Sequence, residues 1–528
     1  MKKSICFVLV LSMLLGSLFA QGTVEQTAEK DTGLTEPVTI TFWYNPAIVE
    51  AGAPPDDWFV YKEVREKLGI DLKLSPMPSN ANDRDSKISA AGAADNLPDI
   101  FTVRRPVMAN LVKQNLCAPI DDMFAMMPER TKRVYDNDAI AVGSIGGHAY
   151  GLVSSTGDIK KNEGVLIRKD WLDKLGLQVP VTVDDYLKVM RAFTFDDPDG
   201  NGKNDTWGYG CFIETTQSEK GLGRRLDPFF GAYGVAGTWN LTEADAGLNV
   251  RKPAYYDALC IIRQMQEEGI IDPNWLTYKK DDFKAAWKQG KFGMMREQNA
   301  SYAAENNYAP FDKNFPDGEW IVIAPPIGPE GKSSVGVYSN TNDSMIAISK
   351  KAGDAGKLPY IAKFLEWAIT DGYYMLGWGQ EGVNYLLDAE GIPTVNGLAD
   401  PSKGFTKSGT QPLLQLKGLA YYWSDAELKS RYPSYVTAVS KKPMSALTTL
   451  REMQSMPWTK QAGVDLLPAA NVDLDRFYGQ SVVEFVNGNK PLNPETWKQF
   501  VAEFDKLGGK AWEDAGVSVA KEAGILTK

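Results

Sequence analysis

Apolar and polar positions alternate over residues 38–43, a run of β-branched and aromatic side chains that predicts a strand. A polar loop over 44–57 follows. Phe59, Val60, Val64 and Leu68 then fall on one side of a helix over 58–68, which Gly69 stops. Alternation returns at 70–74, and strand, helix, strand is a βαβ unit of the kind that builds mostly parallel sheets. The same logic predicts a short helix over 86–94, a buried strand over 97–103 and a helix starting over 110–115. A connection over 116–123, a strand over 164–168 and a helix over 169–175 come after these. The chain has no internal repeat and no low-complexity block, and its pattern is that of an α/β protein.

The N-terminus follows a different rule. Lys2 and Lys3 precede an apolar run over 5–15, and Gly16, Ser17 and Ala20 supply small residues at a cleavage point, so residues 1–20 read as a signal peptide. The run is well short of the roughly 20 apolar residues that span a bilayer. Phe19-Ala20-Gln21-Gly22 stands where a lipidated cysteine would be needed, and Cys6 lies too early. The expected product is a periplasmic or cell-surface-associated protein without a lipid anchor, opening on a flexible polar leader over 21–37.

Composition narrows the partners. With 57 Lys and Arg against 67 Asp and Glu, the net charge is −10, and no basic block favours nucleic acid or anionic lipid. The 528 residues suffice for two or more domains. Beyond the signal, Cys117, Cys211 and Cys260 are odd in number and widely spaced. They form no metal-type pair and allow at most one bridge, so buried thiols are expected. Abundant carboxylates leave a glycosidase pair open on composition alone. Against an enzyme, His148 is the sole histidine, it sits in a loop-like string, and neither H-E-x-x-H nor G-x-S-x-G occurs. Binding is the expected activity; a surface lectin or glycan sensor is the competing reading.

Several strings occur in a telling order: LPDIF (97–101), GGHAYGL (146–152), VLIRKDWLDKLGLQVPVTVDDYLKVMRAF (165–193) and DPDGNGKNDTWGYG (197–210). GKFGMM (290–295), IVIAPPIGPEGK (321–332) and AKFLEWAITDGYYMLGWGQEGVNYLLDAEGIP (362–393) continue it. Each is weak alone. Together they resemble the extracellular solute-binding proteins of family 1, the sugar-binding components of ABC transporters. Within that family they are most similar to the subgroup of alginate-oligosaccharide-binding proteins and LplA-like lipoproteins. The resemblance implies a type II-like periplasmic-binding-protein fold, two α/β lobes with a ligand cleft between them. It implies crossing strands at 149–153, at 293–297 and near 344–347, the last before a helix over 359–368. The N-terminal lobe would hold 38–150 and 297–345, and the C-terminal lobe 151–296 and 346–528. It further implies a monomer that captures an oligosaccharide and hands it to the transmembrane subunits of an ABC permease. Open parallel sheets place ligand loops at strand C-terminal ends, and a cleft between lobes closes by hinge motion.

The sharpest local motif is Asp197-Pro198-Asp199-Gly200-Asn201-Gly202-Lys203-Asn204-Asp205. Oxygen-bearing side chains fall at loop positions one, three, five and nine, with glycine at six, which is how a calcium loop begins. Lys203 would contribute its backbone carbonyl. Position twelve is Gly208 rather than a glutamate, and Thr206 stands where alginate-binding relatives carry a further carboxylate. A structural Ca2+ and a metal-free cluster of Asx turns are the two readings.

Sugars are held by aromatic faces and planar polar groups, and the chain has 14 Trp and 22 Tyr. Position selects Trp43, Tyr44 and Asn45 at the end of the first strand. Arg104 and Arg105 follow the strand at 97–103 and suit hydroxyl or carboxylate contacts. Arg296, Glu297 and Asn299 leave the expected second crossing. Trp239 sits in a glycine-rich loop, and Trp378 with Glu381 lies in GWGQEGVNY; Trp423 and Trp458 are further aromatic platforms. A uronic sugar would draw on the arginine pair, a neutral one on Trp43 and Trp239.

Overall fold

The computed structural model describes residues 36–48, 51–78, 80–216, 218–342, 344–420 and 422–527. The expected signal peptide (1–20), and the leader (21–37) up to residue 35, lie outside the described residues.

Strand β1 (Val38–Tyr44) points Ile40, Phe42 and Tyr44 to one buried face. The helix Phe59–Leu68 buries Val60, Val64 and Leu68 and ends at Gly69, whose φ of 69° closes it in the left-handed region. The chain returns as β2 (Ile70–Pro76), parallel to β1. The next helix, Ala81–Ala93, starts well before residue 86 because Asn80 accepts from the backbone N–H groups of Asn82 and Asp83. After β3 (Ile100–Arg104) the helix Arg105–Lys113 follows directly, with proline in its first turn, so it also begins earlier than the apolar spacing predicts. Further on come β4 (Gly151–Leu152), β5 (Glu163–Arg168), β6 (Trp207–Gly210), β7 (Phe292–Gln298) and β8 (Trp320–Ile323). β9 (Val337–Tyr338), β10 (Ser344–Ile348) and β11 (Thr459–Lys460) complete the set used below.

Two sheets organise the molecule. The first has the order β2-β1-β3-β10-β4, parallel across β2, β1 and β3 and antiparallel at β10. The second has the order β8-β5-β7-β6. The expected two-lobed α/β architecture is present, but the lobes divide the chain differently. β8 pairs antiparallel with β5, so the segment 297–323 belongs to the second lobe. β10 pairs with β3, and the helix Leu358–Ile369 packs Ile361, Phe364 and Leu365 into the core around β1, so 344–420 belongs to the first. The reason is burial: that helix is apolar enough to need a sheet face, and β10 carries it to the first one. Residues 446–527 return to the second lobe, where Val482, Phe485, Phe500 and Phe504 join its core.

The crossings shift accordingly. Residues 293–297 do not cross; they form the interior of β7, hydrogen-bonded between β5 and β6 and buried throughout. The chain passes between lobes just after β4, between β8 and β10, and between the helices Lys417–Ala420 and Ala446–Gln454. The first two passages touch at the antiparallel bridge Ser155↔Thr341, and β9 pairs with β11 beside it.

Candidate functional site: a cavity at the lobe junction and a buried ion cluster

At the C-terminal ends of β1 and β3 the first sheet presents a row of side chains. Phe42 is in register with Ile100, so Tyr44 follows beside Thr102, which faces Ile346 on β10; Ile346 in turn faces Leu152 on β4. This row floors a cavity of about 230 Å3 that Asn45, Ser154, Asn342 and Gln415 help to wall. Gln415 closes one side by accepting from Ile48 N (3.2 Å) and donating to Ile48 O (2.9 Å), which staples the loop after β1 in place. Two of the lining residues carry a buried polar atom with no partner among the described residues, the Tyr44 hydroxyl and the Asn45 carbonyl oxygen Oδ1. Burial, with a smaller contribution from Tyr61, pushes the Tyr44 phenol up to about 12, so it is a neutral donor at physiological pH. Unpaired buried groups of this kind are costly unless something completes them.

The second lobe meets the junction with a cluster of buried charge. Glu163 opens β5 and pairs across the ladder with Gln298 at the end of β7. Arg296 reaches Glu163 at 3.0 Å, Glu219 at 3.3 Å and Asp227 at 3.9 Å. Arg225 reaches Glu214 at 2.8 Å and Glu297 at 3.2 Å, and Arg224 also pairs with Glu163. Five carboxylates thus share three guanidinium groups. Burial works to raise Glu163, but Arg296, Arg224 and Arg225 outweigh it and hold the carboxyl at about 2. Asp227 goes the other way: burial and then the Glu219 charge raise it well above the usual carboxylate range. With two more carboxylates than guanidinium groups in the cluster, the neutral form of Asp227 is the favoured one.

Over this cluster lies an aromatic step. The Trp458 ring sits 5.8 Å from the Arg296 guanidinium and edge-on to Tyr338 at 6.1 Å, with Lys161 4.7 Å above Tyr338. Lys161, Tyr338 and Trp458 come from the chain just past β4, from β9 and from the run into β11. Ser154 and Asn342 continue two of those segments into the cavity wall.

The site residues expected from sequence scatter more widely. Tyr44 and Asn45 line the cavity, and Arg296 and Glu297 lie in the ion cluster. Trp43 points to the opposite face of β1, half-buried beneath the Lys87 ammonium at 4.4 Å. Arg104 binds Asp85, and Arg105 donates to the carbonyls of Val142 and Ser144 at the end of the helix Asn137–Gly143. Trp239 is core, edge-on to Trp512 at 5.3 Å, and Trp378 is core, donating to Ser430 Oγ at 3.0 Å. Glu381 is exposed on an outer groove beside Phe59 and Lys62. Asn299 is buried and ties down Ala446 O at 3.0 Å. Trp423 takes Arg431 over its ring at 5.6 Å. Arg130, Gln415, Arg224 and Arg225 carry no local signal: in sequence they read as solvated residues of polar helices and turns.

The Asp197 loop lies at the far end of the second sheet. Asn201 donates from Nδ2 to Asp199 (2.7 Å) and Asp205 (3.0 Å), while Asp197 accepts from the backbone of Asn201 and Gly202. Burial first, then crowding by Asp197 and Asp205, raises Asp199. The Asn201 amide stands at the centre of the loop, and the Lys174 ammonium lies at its edge beside Gly200. Lys203 is exposed and donates its N–H to Asn201 Oδ1. Thr206 does not face the loop: it is buried and donates to Phe193 O at 2.9 Å, closing the preceding helix onto β6. Among the described residues, no group of three or more His, Cys, Asp or Glu side chains is drawn together as metal ligands. Phe292 pairs with Trp207 beside this loop, and Arg296 is four residues along β7, so roughly 13 Å separates loop and ion cluster.

Among the described residues, no helix is long and apolar enough to cross a membrane. A family described as bacterial extracellular solute-binding protein matches residues 46–375. The polygalacturonan/rhamnogalacturonan-binding protein YtcQ of Bacillus subtilis (strain 168) is 26% identical over 391 residues, 71% of this chain and 73% of that protein. In structure, the fold is shared with an EF-hand mutant of the Streptococcus pneumoniae ABC-transporter substrate-binding protein FusA in complex with fructo-nystose. That match has a TM-score of 0.58 and 18% identity, and covers 92% of this chain and 99% of that one. Alginate-binding protein AlgQ2 without calcium ion matches at TM-score 0.56 and 17% identity, with the same coverage. With more than half of its length matched, the chain belongs to the bacterial extracellular solute-binding proteins.

Proposed function

We propose that this protein is the substrate-binding component of an ABC importer, capturing an oligosaccharide between its lobes and delivering it to the permease. One observation carries this reading: the unpaired Tyr44 hydroxyl and Asn45 Oδ1 at a cavity on the strand ends of the first sheet, beside the chain crossings. Sugar hydroxyls are donors and acceptors at once and complete both groups, while Trp458 and Tyr338 offer ring faces from the hinge side. The names of the relatives, which bind polygalacturonan or rhamnogalacturonan and fructooligosaccharides, support the substrate class. The N-terminal pattern of residues 1–20 supports export to the periplasm or cell surface.

Calcium is part of this reading. Asp197, Asp199, Asn201 and Asp205, with the Lys203 carbonyl, would hold it, and Thr206 is not among the ligands. Bound there, the ion draws the three Asp carboxylates together and pins the helix-to-strand turn. Its distance from the ion cluster makes the role structural.

The test is calorimetric titration of the purified protein with defined oligosaccharides, joined to uptake by a deletion strain. Saturable binding of at least one glycan, with loss of its uptake on deletion, is expected. Normal uptake of every glycan bound, in a strain lacking the protein, would overturn the transport role.

A further inference from the structure

Arg130 is 1% exposed and lines the junction cavity. Its Nε donates to Tyr135 Oη (2.7 Å), and its Nη1 donates to the carbonyls of Leu365 (3.2 Å) and Leu419 (2.7 Å). These bonds lock the guanidinium in one orientation and leave Nη2 without an acceptor among the described residues. Arg225, Arg296 and Arg168 are as deeply buried, and each is paired with at least one carboxylate. Arg130 is not: among the described residues no Asp or Glu side chain makes an ion pair with it. Glu366 is nearby but is spent on the backbone N–H groups of Glu129 and Arg130, at 2.9 Å each. The rest of the lining among the described residues is neutral, so Arg130 is the one charged residue there.

A buried cation without a counter-ion is costly, and a fixed guanidinium with a free nitrogen is a ready half of a carboxylate pair. We infer that Arg130 is the specificity determinant of the cavity and receives the carboxylate of a hexuronate residue, making the ligand an acidic oligosaccharide. The Tyr44 hydroxyl and Asn45 Oδ1 then engage hydroxyls of the same sugar. This rests on the oligosaccharide reading above and deepens it, because charge rather than ring shape becomes the feature selected.

The experiment titrates the purified protein with galacturonate and mannuronate trimers, with their methyl esters, and with the neutral trisaccharide kestose. The ester removes the charge of the acid and adds one methyl group per carboxyl, so the salt dependence separates loss of charge from added bulk. At least one acid is expected to bind tenfold or more tightly than its own ester, and to weaken as salt rises while the ester does not. Arg130→Gln is expected to bring the acid down to the affinity of the ester and leave the ester within twofold. Because Arg130 also ties three groups together, its variant can fail to fold; the acid-to-ester ratio on the unsubstituted protein decides the matter alone. Ester binding as tight as acid, or kestose bound and both acids refused, overturns the inference and leaves the oligosaccharide reading standing. Failure of all five ligands removes both.

Discussion

Tyr44 and Trp43 are neighbours on one strand with opposite fates, because successive strand residues face opposite sides. Tyr44 lines the cavity and its buried hydroxyl is unpaired among the described residues, while Trp43 covers the other face under Lys87. Tyr44→Phe is expected to weaken oligosaccharide binding about five- to tenfold, the scale of one lost hydrogen bond, with the melting temperature unchanged. Trp43→Ala should do the reverse. Loss of its packing and its cation–π contact is expected to cost about 2 kcal/mol of stability with affinity unaltered. Calorimetry and chemical denaturation on the two variants check the pair, and a binding loss in Trp43→Ala would move the pocket to the other face. Sequence pattern located the strand end at 43–45 but could not say which of three adjacent polar or aromatic residues lines the cavity. That depends on which face the helices cover.

At the scale of elements, the meeting of the start of β5 with the end of β7 concentrates charge that each strand carries singly. Glu163 ionises more readily folded than unfolded. Its contribution is fully present above its usual value of 4.5 and is lost as pH falls from there toward about 2. Asp227 has the opposite sign: its folded value is raised, so stability is lost as pH rises from its usual value of 3.8 up to the folded value. Asp227→Asn, which keeps the neutral form, is expected to gain stability over the parent as pH rises from 4 to 8. Urea unfolding across that range reads it, and a constant or shrinking difference would show that Asp227 is ionised in the folded state. The Asp197 loop answers to a different reagent. Chelation should lower the melting temperature by a few °C, the scale of ~1–2 kcal/mol for a lobe of this size, and calcium should restore it. An unmoved transition would leave the loop as a metal-free cluster of turns. The loop itself was legible because its turn residues are local; the orientation of Thr206 was not, since Phe193 fixes it from the preceding helix.

For the whole molecule, the chain passes three times between lobes, and two passages are joined at Ser155↔Thr341. Joined crossings limit relative motion to bending about that junction, so ligand bound at the cavity should draw the lobes together. Small-angle scattering is expected to show a smaller radius of gyration with saturating ligand than without; an identical profile would mean that capture proceeds without closure. The lobe boundaries themselves were misjudged from sequence. A strand such as 320–323 is apolar and equally at home in either sheet, and only its pairing with β5 assigns it. Residues 293–297 looked like a crossing and are instead central to the second sheet, because both of their neighbours in space are far away in sequence.

The sequence by itself determined what depends on short-range pattern: the α/β alternation, the first strand and helix, the export signal as an expectation, the Asp197 loop and the ordered strings of the family. Helical and strand periods, turn residues and loop spacing act within a dozen residues, so they can be read along the chain. Tertiary structure alone decided which aromatics are core, as Trp239 and Trp378 are, and which stand at the junction, as Trp458 does. It also decided that Arg130, on an ordinary-looking charged helix, is buried at the cavity with no counter-ion among the described residues. Burial and charge pairing are properties of neighbours brought together from distant parts of the chain, and no local pattern encodes them.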